Sequence, residues 1–414
     1  MKTATKTAIN TDQPAVAALP AAGVSGEALR YHSLDNLRAS AMLLGVVFHA
    51  ALAYSPLLSQ TWPSADGSAA ASIDFFVWLS HTFRMPLFFL IAGFFANLMI
   101  TKRSLKAFML NRCLRVALPF IIFWPLISLV LVAVLYIGLT WLAVNTPALN
   151  AIEKLLQNPE PGQQSLTLLS TGHLWFLYYL LIFYLLAALA KKFLSLPSKW
   201  LQCLVSPAML LGIWPLIAAL ALLGQPMPHP PPASLLPAPW AVIFYGQFFF
   251  VGWLYYGKQP MLNGLYRQQA VLLLFCALLS GVFFLHLPQP ITVEGVAAFL
   301  NQSPIMERSH WVLVLATAFL AWYVSILCVM QARKYFAVAN PVMRYLADAS
   351  YWTYLVHLPL VYIMQMLFYF TQWPILIELC LSVGLTLVIC FASYQLAVRN
   401  TFVGRFLNGR RNSR

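Results

Sequence analysis

Charge is scarce in this chain. Aspartate and glutamate number 11 and lysine and arginine 25, so 9% of its 414 residues are charged. Soluble domains carry about 25%, which excludes an ordinary soluble fold. Several catalytic and nucleotide-binding signatures are also missing: there is no P-loop, no GxGxxG and no GxSxG. The six cysteines (Cys113, Cys203, Cys276, Cys328, Cys380 and Cys390) contain no CxxC and lie in or beside apolar segments. They read as packing residues, not as a disulfide framework or metal ligands. No two histidines stand at HxxxH spacing, so no metal site is expected. No repeat of fixed period is visible. Residues 1–29 lack the compact apolar core of a signal peptide. Rich in alanine, proline and threonine, they read as a disordered cytoplasmic tail.

What the chain has instead is apolar length. It is 61% hydrophobic, with a mean hydropathy of +0.75. The apolar runs are continuous rather than alternating, which favours helices over a membrane barrel. About ten runs are long enough to span a bilayer, near 37–57, 73–99, 115–138, 173–190, 204–223, 240–257, 268–287, 311–330, 345–369 and 375–398. The expected fold is therefore all-α: a polytopic membrane protein of about ten transmembrane helices. Basic residues cluster in alternate loops, at Lys2 to Arg38, Lys102 to Arg115, Lys191 to Lys199, Lys258 to Arg267, Arg333 to Arg344 and Arg399 to Arg414. By the positive-inside rule those loops, and both termini, are cytoplasmic. The net charge of +14 thus has a topological role, and no nucleic-acid partner is expected. The organisation expected is a tail (1–29), one membrane domain (30–400) and a basic cytoplasmic tail (401–414). Residues 224–239 are too proline-dense for helix and should be extended.

Inside the spans, ionisable residues are few. Arg38 and His49 lie eleven positions apart in one apolar run, almost three helical turns, so they share a stripe. His49 would sit roughly 18 Å into a hydrocarbon core of about 30 Å. The second span carries His81 and Arg84, the ninth His357, all at similar expected depth. A buried charge or imidazole is expensive in lipid and marks function by default. A hydrogen-bonded packing histidine is the competing reading, and for His81 and His357 it weighs about equally.

At the inner end, Asp35 and Arg38 fall at i, i+3, where a local ion pair explains them as well as function does. Arg112 and Arg115 belong to the densest basic loop. Topology accounts for such a loop, but arginine also matches phosphate geometry. At the outer end, His173 and Trp175 open the fourth span. An interfacial aromatic belt is the plainer account of them, and a sugar-stacking subsite the alternative.

These residues also carry a resemblance. Leu34 to Arg38 followed by His49, the run Phe83 to Phe95, Asn111 to Arg115 with Pro119, His173 to Leu177, and Tyr351 to Pro359 resemble, in combination, the motifs of the acyltransferase-3 family of integral membrane proteins. The resemblance covers roughly 31–400 and is strongest to a branch thought to succinylate periplasmic glucans. Ala92 stands where many members carry serine, which removes a hydroxyl from that position.

The resemblance implies a bacterial inner-membrane enzyme that moves an acyl group, succinyl or acetyl, from cytoplasmic acyl-CoA to a hydroxyl of a periplasmic glucan. Lipopolysaccharide, exopolysaccharide and peptidoglycan remain open as acceptors. It implies no tightly bound cofactor, and membrane lipids and glycan-synthesis proteins as neighbours. In this reading His49 is the general base, Arg84 stabilises the oxyanion or holds an anionic group, and Arg38, Arg112 and Arg115 meet the donor's phosphates. Asp35, His81, His173, Trp175, Tyr354 and His357 complete the expected substrate-binding set. A solute transporter or flippase is the rival of another class. It calls for an internal inverted repeat and broken helices in matching halves, and neither is visible. A pH-responsive sensor would need no phosphate site.

Overall fold

The computed structural model describes residues 31–157, 170–193, 198–301, 307–338 and 340–408. The expected tail 1–29 and the end of the C-terminal tail, 409–414, lie outside them.

Among the described residues the chain is helical throughout, with no strand. The principal helices are α1 (His32–Ala51), α2 (Ala71–Lys102), α3 (Leu105–Arg112), α4 (Leu118–Thr140), α5 (Pro147–Gln157), α6 (Trp175–Phe193), α7 (Trp214–Leu222), α8 (Pro239–Tyr255), α9 (Gln269–Leu285), α10 (Arg308–Tyr335), α11 (Pro341–Phe368), α12 (Ile375–Ser393) and the short α13 (Phe402–Asn408). Wider π turns carry α3 into α4 and extend α12 to Val398.

Seven helical segments are long and apolar enough to cross a membrane: His32–Tyr54, Ala71–Lys102, Leu105–Thr140, Gly172–Phe193, Leu262–Leu285, Arg308–Tyr335 and Ile375–Val398. The three other expected spans fall on α7 and α8, which are shorter, and on α11, which carries Arg344, Asp348, His357 and Gln365 within its 28 residues. Leu126 and Leu129 on α4, Leu274 and Phe275 on α9, and Leu376 and Val388 on α12 are exposed. Apolar faces of this kind need a hydrocarbon environment.

α1 lies inside the bundle, packed against α2, α10, α11 and α12, while α2 packs along α8. The contact between α2 and α8 is backbone to backbone. A Cβ added at Gly93 would stand 1.9 Å from the Phe249 carbonyl oxygen, and one added at Gly252 would stand 1.8 Å from that of Leu90. Small residues permit this approach where lipid offers no hydrophobic drive between helices.

Prolines shape two of the central helices. Pro86 lies inside α2, and Pro359 inside α11. Each removes one backbone donor and leaves the carbonyl four residues earlier without its helical partner.

Two short helices lie outside the expected spans. Between the third and fourth expected spans stands α5, which starts at Pro147, a residue well suited to a first helical turn. The expected basic tail 401–414 includes α13, and its Leu407 is buried. The segment 224–238 is non-helical apart from turns, as its prolines require.

Candidate active site

α1, α2, α6 and α11 meet around three adjoining cavities. The inner one, at the arginine-rich end, has a volume of about 240 Å³, and its walls include Arg38, Arg112, Arg115, Asp348, Tyr351 and Tyr354. The outer one measures about 480 Å³, with His49, His81, Arg84, His173, Trp175 and His229 among its lining residues. Between them lies a constriction of about 50 Å³ lined by Gly45, His49, Arg84, His173, Trp175, Tyr354 and His357, among others. It shares Met42, Phe88, Phe176 and Tyr354 with the inner cavity, and His49, Arg84, Met85, His173 and Trp175 with the outer.

The hydrogen bonds at the constriction fix where the imidazole protons sit. A carbonyl oxygen can only accept. His357 Nδ1 lies 2.8 Å from the Tyr354 carbonyl oxygen and 3.1 Å from that of Thr353. It therefore carries the hydrogen, and Nε2 of the neutral ring presents a lone pair. His49 Nδ1 lies 2.9 Å from the Gly45 carbonyl oxygen and 3.0 Å from His357 Nε2. It too carries the hydrogen, shared between those acceptors. The bare nitrogen of neutral His49 is thus Nε2, which has no hydrogen-bond partner among the described residues.

His173 is held by the break in α11. Pro359 frees the Leu355 carbonyl, and His173 Nε2 donates to that oxygen at 3.3 Å. In return Tyr354 donates its hydroxyl to the His173 carbonyl at 2.8 Å. His81 Nε2 donates to the His229 carbonyl at 2.9 Å, and its ring stacks on Phe48.

Arg84 is 5% exposed, and among the described residues no carboxylate pairs with it. Its guanidinium lies over the Phe48 ring, 3.8 Å from the centroid. Nη1 has no hydrogen-bond partner among the described residues. This nitrogen passes beside Gly45, one turn before His49, where an added Cβ would stand 4.0 Å from it. A guanidinium buried without a counter-charge is costly, and an anion arriving in the cavity would offset that cost.

At the inner cavity, Arg112 donates to the Tyr184 hydroxyl at 3.3 Å and to Asn111 Oδ1 at 2.7 Å, while its Nε is unpartnered. The Arg115 backbone carbonyl accepts from the Tyr351 hydroxyl at 3.1 Å. Arg38 pairs with Asp35 at 3.5 Å. Asp35 is not among the residues that line the three cavities.

The site thus gathers His49, Arg84, His173, Trp175, Tyr354 and His357 at the constriction, with His81 on its outer side and Arg38, Arg112 and Arg115 on its inner side. Trp175 is 7% exposed and faces the cavities, which replaces the interfacial-belt account with burial inside the bundle. Sequence reasoning missed His229, a member of the outer cavity whose imidazole burial pushes down to about 4. Lying in a polar loop, it carried no hydropathy signal. Among the described residues no cluster of His, Cys, Asp and Glu is arranged to hold a metal ion.

A family model described as an acyltransferase domain matches residues 31–395. The chain is also similar to the glucans biosynthesis protein C of Escherichia coli K12, of Escherichia coli O1:K1 / APEC and of Escherichia coli O9:H4 (strain HS). Each is 36% identical over 102 residues. The matched stretch covers 25% of this chain and 26% of each relative, about a quarter of their length. No solved structure matches the chain. With its family match over 31–395, the chain belongs to the acyltransferase-3 family, and seven of its helical segments are long and apolar enough to cross a membrane.

Proposed function

We propose that the protein transfers an acyl group from acyl-CoA, bound at the inner cavity, to a hydroxyl of an extracytoplasmic glucan in the outer cavity. The observation that carries this reading is the bare Nε2 of His49 at a constriction shared by two cavities of opposite character. One is edged by arginines suited to phosphate, the other walled by aromatic rings suited to sugar faces. The name of the relatives favours a glucan as acceptor.

The residues divide the work as follows. Arg112, Arg115 and Arg38 hold the phosphates of the donor. The thioester carbonyl reaches the constriction. The acceptor hydroxyl oxygen attacks the carbonyl carbon while its proton passes to His49 Nε2. Arg84 balances the negative charge that develops on the carbonyl oxygen. The carbon–sulfur bond then breaks, and the departing sulfur takes the proton from the His49 imidazolium. His357 accepts the hydrogen of His49 Nδ1 and so holds the ring in the tautomer that leaves Nε2 bare. The protein would lie in the bacterial inner membrane with about ten spans, the arginine-rich end and both termini in the cytoplasm.

The test is transfer by the purified protein. Radiolabelled succinyl-CoA and acetyl-CoA are offered with periplasmic glucan, and the label on glucan is counted for wild type, His49→Gln and Arg84→Met. Wild type is expected to move one label. Both variants should fall by about 10²-fold or more in kcat, within the usual range for a lost base or oxyanion donor. Undiminished transfer by folded His49→Gln overturns the assignment.

A further inference from the structure

His229 sits in the segment 224–238, where Pro228 precedes it and Pro230 and Pro231 follow. It is 2% exposed and lines the outer cavity. Among the described residues neither of its ring nitrogens makes a well-formed hydrogen bond; the Pro230 backbone carbonyl lies close enough to the ring to favour its protonated form. A buried imidazole without a well-formed hydrogen bond at either nitrogen carries an unmet desolvation cost. Structures rarely leave such a group unsatisfied without a role for it.

The segment that carries it is pinned in place. The Thr171 backbone N–H and hydroxyl both donate to the Ala233 carbonyl, at 2.7 and 2.9 Å. Tyr178 donates its hydroxyl to the Leu235 carbonyl at 2.6 Å, and the Ala238 N–H donates to the Tyr179 hydroxyl at 2.8 Å. The His229 carbonyl is engaged by His81. The ring itself packs among aromatic side chains, 4.7 Å from His81, 5.5 Å from Trp240 and 5.4 Å from Phe244, centroid to centroid. The main chain is thus anchored on several sides, while the imidazole it delivers to the cavity makes no well-formed hydrogen bond among the described residues.

The chemistry of the missing partner can be read from what the ring offers. A neutral imidazole has one donor and one acceptor at opposite edges. A hydroxyl both donates and accepts, and neighbouring hydroxyls on a sugar ring supply such groups in pairs. The same cavity is lined by Trp62, Trp78, Trp175 and Tyr362, aromatic side chains of the kind that pack against the apolar face of a pyranose. A carboxylate or phosphate could use only the donor and would leave the acceptor nitrogen unpaired.

We propose that His229 is an acceptor-binding residue that hydrogen-bonds ring hydroxyls of a neutral carbohydrate, and that segment 228–233 is the element that selects it. The inference rests on the outer cavity being the acceptor side, and it assigns no proton transfer to His229. It places specificity in a loop, away from the helices that perform the chemistry.

The test uses the full-length protein in detergent. Binding of periplasmic glucan and of succinyl-CoA is measured separately by calorimetry for wild type, His229→Ala and His229→Gln. Thermal unfolding of each is followed as a control on the fold. His229→Ala is expected to weaken glucan binding by about 10-fold or more with CoA binding unchanged. His229→Gln, which keeps one donor and one acceptor, should recover most of the loss. Equal glucan affinity in wild type and folded His229→Ala overturns the proposal. So does a parallel fall in both ligands, the mark of a purely structural role, or a wild type that does not bind glucan. If wild type binds glucan yet moves no acyl label, the transfer reading fails while the role of His229 stands on the binding data alone.

Discussion

His49 Nδ1 and His357 Nε2 face one another across 3.0 Å, joining α1 to α11 through two imidazole rings 308 residues apart in sequence. The pair is polarised by the carbonyl oxygens behind it, those of Tyr354 and Thr353 on one side and Gly45 on the other. In the proposed reaction His357 stands to His49 as a hydrogen-bond acceptor that orients a base, a task carboxylates perform in hydrolase triads, here without adding a charge at membrane depth.

Removing that acceptor should cost catalysis more than binding. His357→Phe is expected to lower kcat by about 10–100-fold, with KM for donor and acceptor changed less than about threefold. His357→Gln, whose amide oxygen can still accept from His49 Nδ1, should retain more activity than the phenylalanine variant. Steady-state kinetics on folded protein decides it. Equal activity of wild type and His357→Phe would remove the orienting role.

The arginines of the inner cavity should govern the donor. Arg112→Gln and Arg115→Gln are each expected to raise KM for acyl-CoA by about 10-fold, a loss of roughly 1.4 kcal/mol of charge-assisted bonding. The KM for glucan should not move. Raising the salt concentration should weaken donor binding to wild type more than to the double variant. A change confined to the glucan KM would reverse the assignment of the two cavities.

The seam between α2 and α8 predicts a stability effect without a site effect. At Gly252 an added Cβ would meet the Leu90 carbonyl oxygen, a backbone atom with no means of rotating away. Gly252→Ala should lower the thermal midpoint markedly, by overpacking worth about 1–3 kcal/mol or more. Gly384→Ala, where an added Cβ meets nothing within 4 Å, should be close to neutral. Fluorescence-detected unfolding in detergent compares the two.

Acid should loosen the outer loop. In the unfolded chain His229 takes up a proton near pH 6.5, whereas burial in the fold delays this to about 4. Between those values the unfolded state binds more protons, so stability is complete above pH 6.5 and declines as the pH falls toward 4. The full effect is at most about 3 kcal/mol. The thermal midpoint of wild type should drop more between pH 7 and pH 5 than that of His229→Gln, which has no such proton to bind. His81, whose ring faces His229, is present in both proteins, and the difference between them reads the His229 proton together with its contact to that ring.

Helix positions were legible in the sequence because lipid demands long apolar runs. The expected span 268–287 is α9, Gln269–Leu285, and the expected span 375–398 is α12 with its π-turn extension. Arg84, His49 and His357 stood out for the same reason, since a polar side chain in such a run is conspicuous. What the sequence could not convey is direction. Hydropathy does not say which ring nitrogen is bare, nor that Pro359 frees a carbonyl for His173. It also gave no weight to His229, because a histidine among loop prolines costs nothing until folding buries it. Helix α5 escaped for a related reason: it is short and amphipathic, and its neighbouring prolines read as loop.

The narrowness of the middle cavity has a consequence for the cell. A reaction that draws its substrates from opposite sides of a bilayer risks opening a leak for protons and ions, and so dissipating the membrane potential. Here Phe88, Trp175 and Phe176 crowd the constriction, and Arg84 places a fixed positive charge in it. In the proposed reaction both features would oppose the passage of hydrated cations, while the small end of an acyl thioester would still reach the constriction. On that proposal insulation and chemistry would fall to the same few side chains, and widening the passage for a bulkier acyl group would compromise the barrier.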